Sequence, residues 1–468
     1  MRAVCLVLLL LPPLGAQQFD LVIRSGRVID PASGLDAVRN VGISGGKIQE
    51  ISPDPLEGRT SIDATGLVVA PGFIDLHSHG QDAENYRAKA MDGVTTAMEM
   101  EVGVADVRAW YSKRQSQSLI NYGAAAGHIP ARMRVMHDPG GFLPTRDAAH
   151  RAATDEEIEE IRRQIEEGLK QGAAGVGLGV QYTPGATRAE ILEMFRAAAS
   201  FGAACFVHIR GVGDGSIPAL EEVMADSAAT GAPVHVAHIT SSGLRATPRL
   251  LAMIGEARAR KLDITTELYP YTAAMSGIES ALFDPGWQDT MGIGYHDLQW
   301  AETGERLTAD SFARYRKIGG GVILHMIPPS ALEAALASPF VMIASDGGLR
   351  NGKGHPRSSG TYARVLGHYV RETGAVTLTE AIRRMSLMPA ERLEQRVPMM
   401  RNKGRIREGA DADLTLFDPA TVADAATYEH PALYSTGIRY VLVNGVAVVS
   451  DGKLQAAAPG RAVRAAVK

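Results

Sequence analysis

Cysteine is almost absent from this chain: its 468 residues include two, Cys5 and Cys205. A disulfide framework is excluded on that count. Long blocks of one charge are missing too. The net charge is −4, with no basic block and no acidic tail, so the electrostatic footprint of a nucleic-acid partner is lacking. What remains is 45% apolar and 21% charged, the balance of a globular enzyme. The length allows either two to three domains or one elaborated barrel.

The N-terminus differs from the rest. Met1-Arg2 carries one positive charge, Ala3 to Leu11 is apolar, and Gly15-Ala16 follows Pro12-Pro13. That apolar stretch is too short to span a bilayer and has the anatomy of a signal peptide over residues 1–16. Leu14 is a poor residue three places before a cut after Ala16, so the cleavage point stays open. Export to the periplasm or the exterior is expected, with no membrane association after removal. Cys5 then leaves with the leader. Cys205, in Ala203-Ala204-Cys205-Phe206-Val207, has the surroundings of a small core residue in a buried strand.

The informative feature is His77 and His79, which end the apolar run Gly66-Leu67-Val68-Val69-Ala70-Pro71-Gly72-Phe73-Ile74-Asp75-Leu76. In a strand, positions two apart face the same way, and two imidazoles so placed make half a divalent-metal site. Phe206-Val207-His208, His235-Val236-Ala237-His238 and Ile343-Ala344-Ser345-Asp346-Gly347 repeat the pattern of an apolar run ending in a ligand or an acid. This recurrence points to a metal centre at the mouth of a barrel.

Apolar strand candidates near 71–79, 93–101, 119–127, 173–180, 203–208, 233–238, 262–268 and 341–346 alternate with helical patterns. One helix opens at Thr154, where Thr154 and Glu157 form a capping box; another runs from Arg188 to Ser200. The expected class is α/β, a metal-dependent (β/α)8 TIM-like barrel over 71–395, with its site at the C-terminal strand ends. Short strands with turns over 17–70 and 396–468 predict a small β-sandwich domain built from both termini. Residues 283–316 interrupt the alternation and are read either as a lid over the site or as a packed surface excursion.

These residues bring a family into view. The chain resembles the amidohydrolase superfamily and, within it, the N-acyl-D-amino-acid deacylases (D-aminoacylases). The likeness rests on Pro71-Gly72-Phe73-Ile74-Asp75 before the histidine pair, Gly93-Val94-Thr95-Thr96, Tyr269-Pro270-Tyr271, Ser345-Asp346-Gly347 with His355-Pro356-Arg357, and Glu408-Gly409-Ala410-Asp411-Ala412-Asp413-Leu414. Two departures stand out. The resemblance implies a metal-bridging cysteine soon after Gly93-Val94-Thr95-Thr96, but Ala97-Met98-Glu99-Met100-Glu101 has none. Nor does Ala173 to Gly179 hold the lysine that many relatives carboxylate. Glu101, or else Glu99, is therefore expected to coordinate metal, the rival reading being that both pair with arginines. In the second departure, Thr240 replaces a lysine that meets the substrate carboxylate.

The resemblance implies a Zn²⁺ site of one or two ions, with His208 and His238 holding one ion and His77 and His79 holding or framing a second. Asp346 is the expected catalytic acid and base, or alternatively a helix N-cap. Tyr269 and Arg357 are expected to hold the substrate and His128 to orient a ligand, while His325 either reaches the site or packs. The implied reaction cleaves the amide of a small N-acyl-D-amino acid. The alternatives are a related amidohydrolase acting on a cyclic amide or dipeptide, and a catalytically inactive barrel used as a binding protein.

Overall fold

The computed structural model describes residues 18–467; the expected leader 1–16 and Cys5 lie outside the described residues. Eight parallel strands form one sheet in sequential order: Phe73–Asp75, Val94–Val104, Asn121–Gly127, Val176–Gly179, Cys205–His208, Val234–Val236, Ile264–Leu268 and Val341–Ile343. The first and eighth meet just past their ends. Asp346 N–H donates to the His77 carbonyl at 2.7 Å and His79 N–H to the Gly347 carbonyl at 2.9 Å, and Ser78 bridges to Gly347. Helices separate most of the strands, and the predicted barrel is thereby realised.

Alternation along each strand sorts the core. Cys205 and Val207 face the surrounding helices with Val234, Val236, Ile264 and Leu268, whereas Phe206 and Met342 join a separate cluster with Ile74 and Met98. Cys205 is fully buried, as its apolar neighbours require. The helix Asp155–Lys170 starts at the expected capping box, with both Thr154 and Glu157 bonds formed. Arg188–Ser200 is likewise a helix, capped by Thr187.

A second, mixed sheet of nine strands takes members from both ends of the chain. Val68–Pro71 pairs in parallel with Phe19–Asp30 and antiparallel with Leu414–Phe417, which joins the two halves.

The excursion after the seventh strand is larger than the sequence suggested. Ala274–Gly277, Leu298–Trp300 and Gly321–Leu324 form an antiparallel sheet whose core includes Phe283, Trp287 and Trp300. Trp300 stacks on Tyr315 with centroids 4.1 Å apart, a contact worth about 0.5–1.5 kcal/mol beyond burial. The excursion packs on Val102, Ile129, Leu143 and Tyr182, residues from the barrel's open end.

Candidate metal centre

Four imidazoles converge on one carboxylate. Glu101 Oε2 lies 3.1 Å from His77 Nε2 and 3.2 Å from His79 Nε2. Its other oxygen, Oε1, lies 2.8 Å from His208 Nδ1 and 3.8 Å from His238 Nε2. One carboxylate thus faces two histidine pairs with different oxygens, the disposition of a bridge between two ion positions.

The second strand explains how Glu101 gets there. Its register against the third strand slips between Glu99 and Val104, a bulge of the kind that re-aims a side chain beside a site. Regular alternation would point Glu99 and Glu101 the same way, as the sequence suggested, but the two part company. Glu99 takes the far side of His79, with its oxygens 3.2 and 3.1 Å from Nδ1. It is a partner that orients the ring, not one of the clustered ligand atoms, and the expectation of Glu99 as a ligand is corrected accordingly. Neither glutamate pairs with an arginine among the described residues. The bulge also accounts for a missing side chain on the fourth strand: a Cβ at Gly177 would sit 2.5 Å from the Met100 carbonyl oxygen and 2.6 Å from that of Glu101.

Behind His77 stands a residue that the sequence reading missed. Glu267 Oε1 lies 2.6 Å from His77 Nδ1, and Oε2 lies 3.0 Å from His235 Nε2. Carboxylates on the far nitrogens of His77 and His79 present Nε2 of each ring to the cluster, the usual support of a metal-bound imidazole. Only its place as the one charged residue of the strand Ile264–Leu268 marks Glu267 in sequence. Asp75 does similar work in the backbone: it accepts from Ser345 N–H at 3.0 Å and from Lys89 Nζ at 2.8 Å, so it ties the first strand to the eighth.

Asp346 completes the cluster. Its Oδ1 lies 3.4 Å from His77 Nε2 and 3.2 Å from His79 Nε2, while Oδ2 faces Arg357 Nη1 at 2.9 Å. Asp346 is followed by the short strands Leu349–Arg350 and Lys353–Gly354 and not directly by a helix, so the N-cap reading fails. Both Asp346 and His238 have positive φ, 52° and 29°, a cost tolerated where the surroundings fix an unusual geometry. Arg357 also stacks over the Tyr269 ring, 4.4 Å from its centroid. The buried Tyr269 and Thr240 hydroxyls have no hydrogen-bond partner among the described residues. His355, from the same His-Pro-Arg motif, accepts from Arg357 N–H at 3.1 Å.

Two residues fall elsewhere. His128 bonds to Glu190 at 2.8 Å, and Arg132 bonds the same carboxylate at 2.5 Å. His128 is thus part of a buried ion cluster outside the metal centre, which corrects its expected role. His325 bonds to Gln299 at 2.9 Å within the excursion and packs there.

The electrostatics fit a divalent cation. Burial would lower the pKa of His77, but Asp346, Glu267 and Glu101 overcome it and raise it to about 10. His79 rises for the same reason, through Glu99, Asp346 and Glu101 against burial. Burial opposes ionisation of Glu101, yet the four histidines hold its pKa well below the usual range. So many carboxylates around imidazoles call for positive charge. His208 is lowered, by burial and by His238, which leaves a neutral ring ready to ligate. Ligand atoms around a tetrahedral zinc at about 2.0–2.1 Å would stand about 3.3 Å apart. The spacings of 3.1 Å between His77 Nε2 and His79 Nε2, and of 3.1 and 3.2 Å from these to Glu101 Oε2, suit three ligands of one ion. The groups His77–His79–Glu101, His77–His238–Asp346 and Glu101–His208–His238 each bring three ligand atoms together.

His79 and Asp346, with side chains 18% and 12% exposed, form the open side of this cluster. They face a cavity of about 240 Å³ whose walls include Phe142, Leu143, Tyr182 and Arg357. The excursion supplies its roof from Met275 to Gly277, Glu279, Gly320 and Gly321. These flank the stretch 283–316, read as either a lid or a packed excursion; its residues pack in the excursion's core and are not among the cavity's lining.

Comparison with known proteins agrees. The family model described as "Amidohydrolase family" matches residues 60–251 and 133–449. An N-acyl-D-glutamate deacylase of Alcaligenes xylosoxydans xylosoxydans is 31% identical, over 96% of this chain and 97% of its own. The crystal structure of N-acyl-D-glutamate deacylase from Bordetella bronchiseptica, complexed with zinc and a phosphonate mimic of the tetrahedral intermediate, superposes with a TM-score of 0.83 at 29% identity, over 96% of this chain and all of that one. A D-aminoacylase structure described for its binuclear metal centre gives a TM-score of 0.82 at 27% identity, over 95% of this chain and all of that one.

Proposed function

Since this chain belongs to the amidohydrolase family, we propose that it is a zinc-dependent hydrolase that cleaves N-acyl-D-amino acids to a carboxylate and a free D-amino acid. The observation that carries the reading is Glu101, with one oxygen toward His77 and His79 and the other toward His208 and His238, next to Asp346 and Arg357. Imidazole and carboxylate donors suit zinc, and the likeness to a zinc-bound deacylase supports that choice. Glu101, His208 and His238 would hold one ion, and His77 and His79, with the other Glu101 oxygen, a second.

A bound ion supplies Lewis acidity to the amide carbonyl and to the attacking water. Asp346 is placed to take the water proton on the oxygen that faces His77 and His79. It then returns that proton to the departing amine nitrogen, so a single carboxylate serves both transfers in turn. Arg357 recognises the substrate carboxylate through its planar fork, and the Tyr269 hydroxyl has an unused donor for the same carboxylate or for the developing oxyanion. Without the lysine that Thr240 replaces, Arg357 is the cation that lines the cavity. The intact ligand cluster argues against an inactive binding barrel.

The sequence of the N-terminal leader supports export, so we place the activity outside the cytoplasm. The deciding experiment is a panel of N-acetyl-D- and N-acetyl-L-amino acids offered to purified, zinc-loaded protein. Release of D-amino acids alone supports the proposal. Turnover of cyclic amides with none of the linear panel would replace it.

A further inference from the structure

The cavity beside the metal centre has a second charged wall that the proposed reaction does not use. Glu279, half-buried, lines it from the roof. Its Oε2 accepts the Gly320 backbone N–H at 2.9 Å, and no cationic side chain pairs with it among the described residues. A Cβ at Gly277 would lie 3.2 Å from Oε2 and one at Gly319 3.3 Å from Cδ, so side chains there would crowd it. Val102, Phe142, Leu143 and Met275 give the same cavity an apolar lining. The arginine that lines the cavity, Arg357, faces Asp346 and the Tyr269 ring and does not pair with Glu279. A half-buried carboxylate bonded to one backbone N–H keeps further lone pairs free for a complementary cation.

We propose that Glu279 is a cation subsite, selecting substrates that carry an ammonium or guanidinium group in addition to the carboxylate held by Arg357. This rests on the amide-hydrolase reading above. Two kinds of substrate offer that chemistry: an N-acyl-D-amino acid with a basic side chain, and a dipeptide whose free α-ammonium lies on the acyl side.

The test compares kcat/KM of the zinc-loaded full-length protein for N-acetyl-D-lysine against N-acetyl-D-norleucine, and for glycyl-D-norleucine against its N-acetylated form. A preference of about fivefold or more for the cationic member is expected in one of the two arms, the size of a partly exposed charge pair. The arm that shows it identifies the source of the cation. Glu279→Gln keeps an oxygen for Gly320 N–H and removes only the charge, so the ratio should collapse toward one. Glu279→Lys should turn selection toward N-acetyl-D-glutamate. Ratios near one in both arms, or a preference that survives in Glu279→Gln, would overturn the subsite. If none of these amides is cleaved, the hydrolase reading fails separately. Calorimetric binding of N-acetyl-D-lysine and N-acetyl-D-norleucine then decides on Glu279 alone: tighter binding of the lysine derivative, lost in Glu279→Gln, supports it, and equal affinities overturn it.

Discussion

Arg357 sets a guanidinium nitrogen 2.9 Å from one oxygen of Asp346, while the other oxygen turns to His77 and His79. Burial would raise the Asp346 pKa, but Arg357 and His77 reverse the effect and hold it well below the ordinary carboxylate range. Asp346 is therefore kept ionised, as an acceptor for the water proton must be. Asp346→Asn should retain bound metal and lose about 10²- to 10⁴-fold in kcat, the range for an acid–base group. Metal analysis alongside kcat checks this, and near-normal turnover would reduce Asp346 to a positioning residue.

The same pair makes a prediction for Arg357. A substrate carboxylate competes with Asp346 for the guanidinium, and a lysine cannot reproduce the two-pronged contact. Arg357→Lys should raise KM for N-acyl amino acids by more than it lowers kcat. N-acyl amines, which lack the carboxylate, should show no such rise. A parallel loss on both substrate types would assign Arg357 to Asp346 alone.

Much of the site was legible because barrel chemistry collects at strand ends. His77, His79, His208, His238 and Asp346 each follow a short apolar run, and the structure brings all five together. The choice between Glu99 and Glu101 was less legible, because a bulge breaks the alternation on which the pattern argument relies. Glu267 was invisible for another reason. It lies inside the seventh strand, and its partners His77 and His235 are 190 and 32 residues away in sequence. His128 misled because a histidine at a strand end resembles a ligand whether it faces the cluster or, as here, Glu190. The cavity roof carries no strand-end signal in sequence, and the aromatic residues of 283–316 mark the excursion's core instead.

The ligand assignment separates direct from supporting residues. His208→Ala or His238→Ala should lose the tightly held ion and activity together. Glu267→Gln leaves every clustered donor in place but weakens the orientation of His77, and should cost about 10- to 100-fold in metal affinity. Titration of apoprotein with zinc under a competing chelator measures all three. Equal losses in all three would contradict the division.

The buried cluster around Glu190 governs acid stability instead of catalysis. Burial works to raise the Glu190 pKa, but His128 and Arg132 prevail and lower it. A depressed folded-state value means that its stabilisation is complete above about pH 4.5, the ordinary glutamate range. It is lost as pH falls toward the folded-state value. Glu190→Gln leaves Arg132 buried without its counter-charge, a loss of about 3–5 kcal/mol at neutral pH. The Tm gap between wild type and variant should hold from pH 7 to about 4.5 and narrow as pH falls below that. A gap that stays constant below about pH 4.5 would show that Glu190 contributes through packing alone.

Glu101 distinguishes this centre from a thiolate-bridged one. A carboxylate is a harder donor than a thiolate, so Mn²⁺ or Co²⁺ should support activity here more readily than in a cysteine-bridged site. A carboxylate also lacks the oxidation chemistry of a thiolate. Cys205 does not offer an alternative bridge: it is buried among Val176, Val207 and Val234, and its thiol pKa is pushed up by burial and by Asp226. Thiol reagents should therefore leave activity and metal content intact in the folded protein. Glu101→Gln weakens the charge common to all four histidines and should release metal, whereas Glu99→Gln keeps a side chain behind His79 and should release far less. Rapid inactivation by a thiol reagent with loss of zinc, or equal metal loss from the two glutamine variants, would remove Glu101 from the bridging position.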